Sequence, residues 1–139
     1  MKKTILFFLF GLLMVSCKQT ITDKDISKIN GYWEIQKVEL SGGEKKEYKV
    51  NETIDFFQIK DNKGFRQKVM PQLNGKYLTN NIKETISISK KNERFFINYS
   101  TSYSKWSEEI IEIRDSILVL KNDSNLEYHY KRQVPFTIK

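Results

Sequence analysis

Alanine is absent from the 139 residues, which contain only two prolines, six glycines, one histidine and one cysteine. The best helix former is thus missing while Ile, Thr, Tyr, Phe, Val and Trp are plentiful, which disfavours a helical bundle and points to β structure. A single Cys excludes an internal disulfide and a Cys-based zinc site, and a single His excludes a histidine-rich one. The length allows one domain. Arginine is also scarce: 20 of the 24 basic residues are Lys, and Arg66, Arg94, Arg114 and Arg132 are dispersed along the chain. Readers of nucleic acid concentrate Arg and Lys on one face, so no nucleic-acid partner is expected.

Long apolar runs are missing too, with one short exception. Residues 5–15 are apolar, preceded by Lys2 and Lys3 and followed by Ser16 and Cys17. Crossing a bilayer takes about 20 such residues. The run has instead the proportions of an export signal, which predicts a signal peptide over 1–16. Met14-Val15-Ser16-Cys17 resembles a bacterial lipoprotein box, in which the cysteine thiol receives a diacylglycerol before cleavage exposes its amine. That resemblance implies a lipid on Cys17 and, through it, a membrane as partner; more than one acyl chain makes such an anchor stable. Lys18 is not the Asp that retains lipoproteins at the inner membrane, so the cell envelope at the outer membrane is the expected location. Residues 17–28 are polar and aperiodic, which predicts a lipidated Cys followed by a flexible tether.

From 29 to 139 the chain reads as one all-β domain. Turn signals recur every eight to twelve residues, among them Gly42-Gly43, Asn62-Lys63-Gly64, Asn74-Gly75, Asn80-Asn81 and Asp123-Ser124-Asn125. This spacing is that of an antiparallel sandwich or barrel. Strands are expected at 32–40, 53–60, 65–70, 76–79, 84–90, 94–100, 106–113, 117–121 and 126–132, with two or three short or merged. Thr85-Ile86-Ser87-Ile88-Ser89 alternates cleanly, and Tyr128, Tyr130 and Arg132 oppose Glu127, His129 and Lys131. Such a period of two with one buried face fits antiparallel pairing. The first strand changes phase between Trp33/Ile35 and Val38/Leu40, which predicts a β-bulge or a sharp bend.

Gly31-Tyr32-Trp33 at the head of the first strand resembles the Gly-x-Trp signature that opens lipocalins, and Tyr128-His129-Tyr130-Lys131-Arg132 resembles the end of their last strand. In that family a basic residue there packs across the Trp and helps plug the closed end. The resemblance therefore assigns Gly31, Trp33 and Arg132 to a closed-end motif. It implies an up-and-down antiparallel β-barrel of about eight strands, similar in layout to the short lipocalin-like domains of Bacteroidota lipoproteins. A barrel of this size either is filled by its own side chains or holds one small ligand.

Catalytic constellations are missing. His129 lies on the polar face of its strand, Glu108 and Glu109 point to opposite faces, and Gly42-Gly43 leads into no helix, so neither an enzyme nor a metal or cofactor site is expected. Aromatic density suggests binding instead. Phe57, Phe65, Gln67, Tyr99 and Trp106 are the candidates to line a cup for a small apolar or amphipathic ligand, with Arg66 or Asn98 as further polar contacts. The alternative is a solid barrel whose outer aromatics, such as Phe57 and Phe96, dock an envelope protein. Asp115-Ser116-Ile117 also resembles the three-residue O-glycosylation signal of Bacteroidota proteins, which marks Ser116 as a possible acceptor.

Overall fold

The computed structural model of the chain describes residues 19–135. The expected signal peptide, the candidate lipidation site Cys17 and the last four residues lie outside the described residues. A 3₁₀ helix, Asp23–Ile29, leads into nine strands: β1 Gly31–Glu39, β2 Lys45–Glu47, β3 Ile54–Lys60, β4 Lys63–Pro71, β5 Tyr77–Lys91, β6 Arg94–Ser100, β7 Lys105–Ile113, β8 Ile117–Lys121 and β9 Glu127–Arg132. From β3 to β9 each strand pairs antiparallel with the next, and β1 closes the ring by pairing with both β3 and β9. The product is a closed eight-stranded up-and-down barrel, with β2 as a short extra strand.

One strand can serve three neighbours because its two halves do different work. Gly31, Tyr32 and Trp33 pair with β3, whereas Lys37, Val38 and Glu39 pair with β2. The expected bulge falls between Ile35 and Lys37. It brings Val38 back to the inner face, opposite Tyr128, just as Ile35 is opposite Tyr130. The tight β3–β4 and β5–β6 hairpins turn on Asp61-Asn62 and Asn92-Glu93, all four with positive φ, the conformation that matches the right-handed twist of paired strands. Just past the first turn, a Cβ on Gly64 would lie 1.8 Å from the Gln58 carbonyl oxygen, so only glycine fits there.

Two local expectations are corrected. Strands 76–79 and 84–90 are one strand, β5, because Asn80-Asn81 forms a bulge rather than a turn: Asn81 has φ +60° and the register with β4 jumps between Gln67 and Val69. The tether expected over 17–28 is also shorter. Gln19 exchanges two hydrogen bonds with the Ile113 backbone, at 2.8 and 2.9 Å, Ile21 packs against the core, and the 3₁₀ helix buries Ile26 and Ile29. Its polar residues hid an i, i+3 apolar pair. Asp25 accepts from the Thr22 backbone N–H and from Lys28, which together hold its carboxyl down at about 2.

This helix plugs one end of the barrel. Trp33, fully buried, donates its indole N–H to the Ile29 carbonyl at 2.8 Å. The Arg132 guanidinium lies 4.3 Å from the Trp33 ring and donates to the carbonyls of Asn30, Lys28 and Asp115. Gly31, at φ +122°, is where Arg132 passes: a Cβ would come within 2.5 Å of its Nη1. Gly31, Trp33 and Arg132 thus meet in one place. Around them Ile59, Phe95, Ile110, Ile113 and Leu118 complete an apolar floor.

Replacing Arg132 with Met strands three backbone carbonyls and removes the cation from the indole. A loss of about 2–4 kcal/mol is expected in chemical denaturation; an unchanged midpoint would remove Arg132 from the plug.

Candidate functional site

Strand alternation decides what lines the barrel above this floor. On the inner face stand Asp55 and Phe57 of β3, Arg66 of β4, Glu84 of β5, Tyr99 of β6, Trp106 and Glu108 of β7, and Tyr128 and Tyr130 of β9, as the cross-strand partners show. The lower half of the barrel is therefore apolar, and the half toward the β1–β2, β4–β5, β6–β7 and β8–β9 loops carries charge.

Arg66 is the centre of that charged layer. Its Nε and Nη2 form a bidentate pair with the Glu84 carboxylate at 2.8 and 2.9 Å, and its Nη1 lies 3.7 Å from Glu108 Oε1. The guanidinium sits 4.3 Å above the Tyr99 ring and 6.0 Å from that of Phe57. Burial is the largest single influence and weakens its proton affinity; the Glu84 hydrogen bonds, together with the field of Tyr99, Asp55 and Glu84, outweigh burial and hold the cation more firmly than in water. Nearby, Asp55 is buried and its Oδ1 lies 2.6 Å from Nζ of the more exposed Lys68.

Glu108 is the weak point of the layer. Desolvation pushes its carboxyl up, and neither Tyr99 nor Arg66 fully offsets this. Its Oε1 and the Tyr99 hydroxyl are buried without a well-aligned hydrogen-bond partner. Burial likewise raises the Tyr99 and Tyr130 phenols well above their usual range, so both stay neutral and able to donate. Buried polar groups left in this condition are uncommon and ask for a reason. Trp106 lies next to them, only partly covered, its ring stacked on Tyr99 at 5.1 Å and 10°.

The five ligand-lining candidates divide. Phe57, Tyr99 and Trp106 face inward as expected. Phe65 and Gln67 do not: they share the outer face of β4, where Phe65 packs edge-on to Phe56 and Gln67 hydrogen-bonds Thr79. Phe65 and Phe57 cannot face the same way, because Phe57 is opposite Arg66 while Phe65 is opposite Gln58. Phe57 is fully buried, which also removes it from the outer docking patch. Ser116 is exposed in the β7–β8 turn at the closed end, a position accessible to modification. Asn98 points outward, bonding Ser89 and Ser107. Glu84 and Glu108, unnoticed as site residues in the sequence, are the partners that define the layer. The alternation of β5 places Glu84 and Ile86 on one face, Glu84 farther from the plugged end, but only the register brings it to Arg66.

The outer wall carries its own features. Tyr32 stacks on Tyr77 at 3.9 Å and on Phe56 at 4.6 Å. Beside them a groove of about 580 Å³ runs between Glu34, Val50, Ile54, Met70 and Gln133.

A family model described as a lipocalin-like domain matches residues 29–120. Among solved structures the chain is similar to a lipocalin-like protein from Bacteroides uniformis, with a TM-score of 0.50 at 13% identity over 76% of this chain and 99% of that one. It also aligns with an uncharacterized protein from Bacteroides eggerthii, with a TM-score of 0.47 at 15% identity over 75% and 98% of the two chains. No curated protein matches.

Because folding raises the Glu108 pKa, the carboxyl favours the native state in its neutral form: its contribution is complete below the unfolded value and is lost as pH rises through the folded one. Glu108→Gln should therefore raise the melting temperature at pH 7 and leave it nearly unchanged at pH 4. A variant less stable at pH 7 would show that the Arg66 contact outweighs desolvation.

Proposed function

The chain belongs to the lipocalin-like domain family, and from that premise we propose that it is a lipid-anchored protein of the bacterial outer membrane whose barrel binds a small amphipathic molecule without catalysing a reaction. One observation carries the binding claim. The upper half of the barrel holds a buried polar layer in which Glu108 Oε1 and the Tyr99 hydroxyl have only each other and, at 3.7 Å, Arg66 as partners and no well-formed hydrogen bond, beside the partly covered Trp106 ring. A molecule whose polar group reaches Glu108 and Tyr99 while its apolar part lies on Trp106 completes both. A wholly apolar ligand would have to cover the Arg66–Glu84 pair without replacing its solvation, which is costly.

The non-catalytic reading is supported by position: the chain's single histidine, His129, is on the outer face of β9, away from the inner layer of Arg66, Glu84 and Glu108. The anchor reading rests on the signal-like segment and the Met14–Cys17 box. Gln19, clamped at the closed end, is two residues from Cys17. A lipid there would hold the plugged end toward the bilayer and leave the open end facing away from it.

A second reading, a scaffold for an envelope protein, has its own observation. Met70, Leu73 and Leu78 are exposed around the β4–β5 hairpin, and Val50 stands 86% exposed beside the outer groove. Such apolar clusters commonly mark interaction sites.

Organic extraction of the protein purified from a Bacteroides host, followed by mass spectrometry, should release a stoichiometric small molecule bearing a polar group. An empty extract, with apolar probes also failing to bind, would favour the scaffold. Separately, Cys17→Ser should move the protein from the membrane to the soluble fraction; retention in the membrane would remove the lipid anchor.

A further inference from the structure

His129 is not isolated. At the open rim, on the outer face, β1 and β9 place Lys37 opposite His129 and Glu39 opposite Glu127. His129 Nε2 lies 3.4 Å from Glu127 Oε2 and 3.5 Å from Glu39 Oε2, and the three potential ligand atoms all fall within 4.8 Å of one another. The imidazole nitrogen is itself buried and lacks a properly formed hydrogen bond. Each of the three side chains is only partly exposed, with values between 22 and 31%.

We propose that Glu39, Glu127 and His129 form a binding site for a single Zn²⁺ ion that clips β1 to β9. Zinc bonds of about 2.0–2.2 Å in tetrahedral geometry separate neighbouring ligand atoms by roughly 3.3–3.6 Å. The two His–Glu separations already have that length, and the Glu39–Glu127 separation is within 4.8 Å. One nitrogen and two carboxylate oxygens suit zinc; calcium and magnesium take six or more oxygens and have too few here.

The surrounding charges fit this arrangement. Lys37 Nζ contacts the other Glu39 oxygen, Oε1, at 2.6 Å, and Lys45 Nζ is 4.0 Å from it. Both cations are on the oxygen turned away from His129, so Oε2 stays available. A hydrogen bond to the outer oxygen of a ligating carboxylate is how metal sites orient their ligands. The sequence conceals this site because Glu39 is far along the chain from Glu127 and His129, and only closure of the barrel joins them.

The site also has a mechanical consequence. The β1–β9 pairing is the seam that closes the barrel, so an ion shared across it stabilises the closed form by mass action.

The test is equilibrium dialysis of the full chain against Zn²⁺, with Cys17→Ser to remove the only thiol, in excess Mg²⁺ and Ca²⁺. One zinc per chain is expected, with a rise in melting temperature on adding zinc. His129→Gln, checked for folding by circular dichroism, should lose both effects. Glu127→Gln, at a more exposed position, should weaken binding at least tenfold and provides the readout if the histidine variant is unstable. Absence of saturable zinc binding, displacement of zinc by Ca²⁺, or undiminished binding in the folded variants would overturn the proposal.

Discussion

An eight-stranded barrel has an interior only wide enough for side chains or one small ligand, and this chain divides that narrow space into two zones. The lower zone is apolar and sealed by the Trp33–Arg132 stack. The upper zone is built around Arg66. Buried ion pairs rarely add net stability, because desolvation offsets their attraction. A bidentate Arg66–Glu84 pair, roofed on one side by the Tyr99 ring, is therefore better understood as a means of fixing chemistry in the interior than as a stabiliser. Glu108 is drawn into the same space, 3.7 Å from Arg66, where desolvation pushes its carboxyl up.

Both ends of the barrel follow from the way β1 is used. Its first residues join β3 and receive Arg132; past the bulge it turns outward to pair with β2 and faces His129 across the seam. The 3₁₀ helix and Gln19 then tie the N-terminal segment to the plugged end, so the molecule has a built-in polarity. One end is sealed and holds Gln19, and the other carries the charged layer and is bordered by exposed apolar side chains.

Much of the fold was legible because it depends on local pattern. Alternation located eight of the strand segments, the phase change in β1 announced its bulge, and Gly31, Trp33 and Arg132 marked the plug through resemblance. What escaped depends on pairing. Lys45–Glu47 has no apolar alternation, since it is an exposed strand that pairs with β1 through its backbone. Asn80-Asn81 looks like a turn because Asn tolerates positive φ in bulges and turns alike. For the site, a period of two sorts residues into two faces without saying which is inward; Phe65 and Gln67 were assigned to the wrong one. The convergence of Arg66 with Glu84 and Glu108 needs the register of β4 through β7, which no single segment encodes.

In the proposed function the ion-paired layer, rather than an apolar cavity, determines what the barrel holds. Its most direct test replaces the pair by Arg66→Met with Glu84→Leu, a change that buried ion pairs often tolerate without loss of stability. Mass spectrometry of this folded double variant beside the native protein, both purified from the same host, compares their bound small molecules. The native protein is expected to carry an amphipathic molecule and the variant none. The same molecule at equal occupancy in both would contradict it.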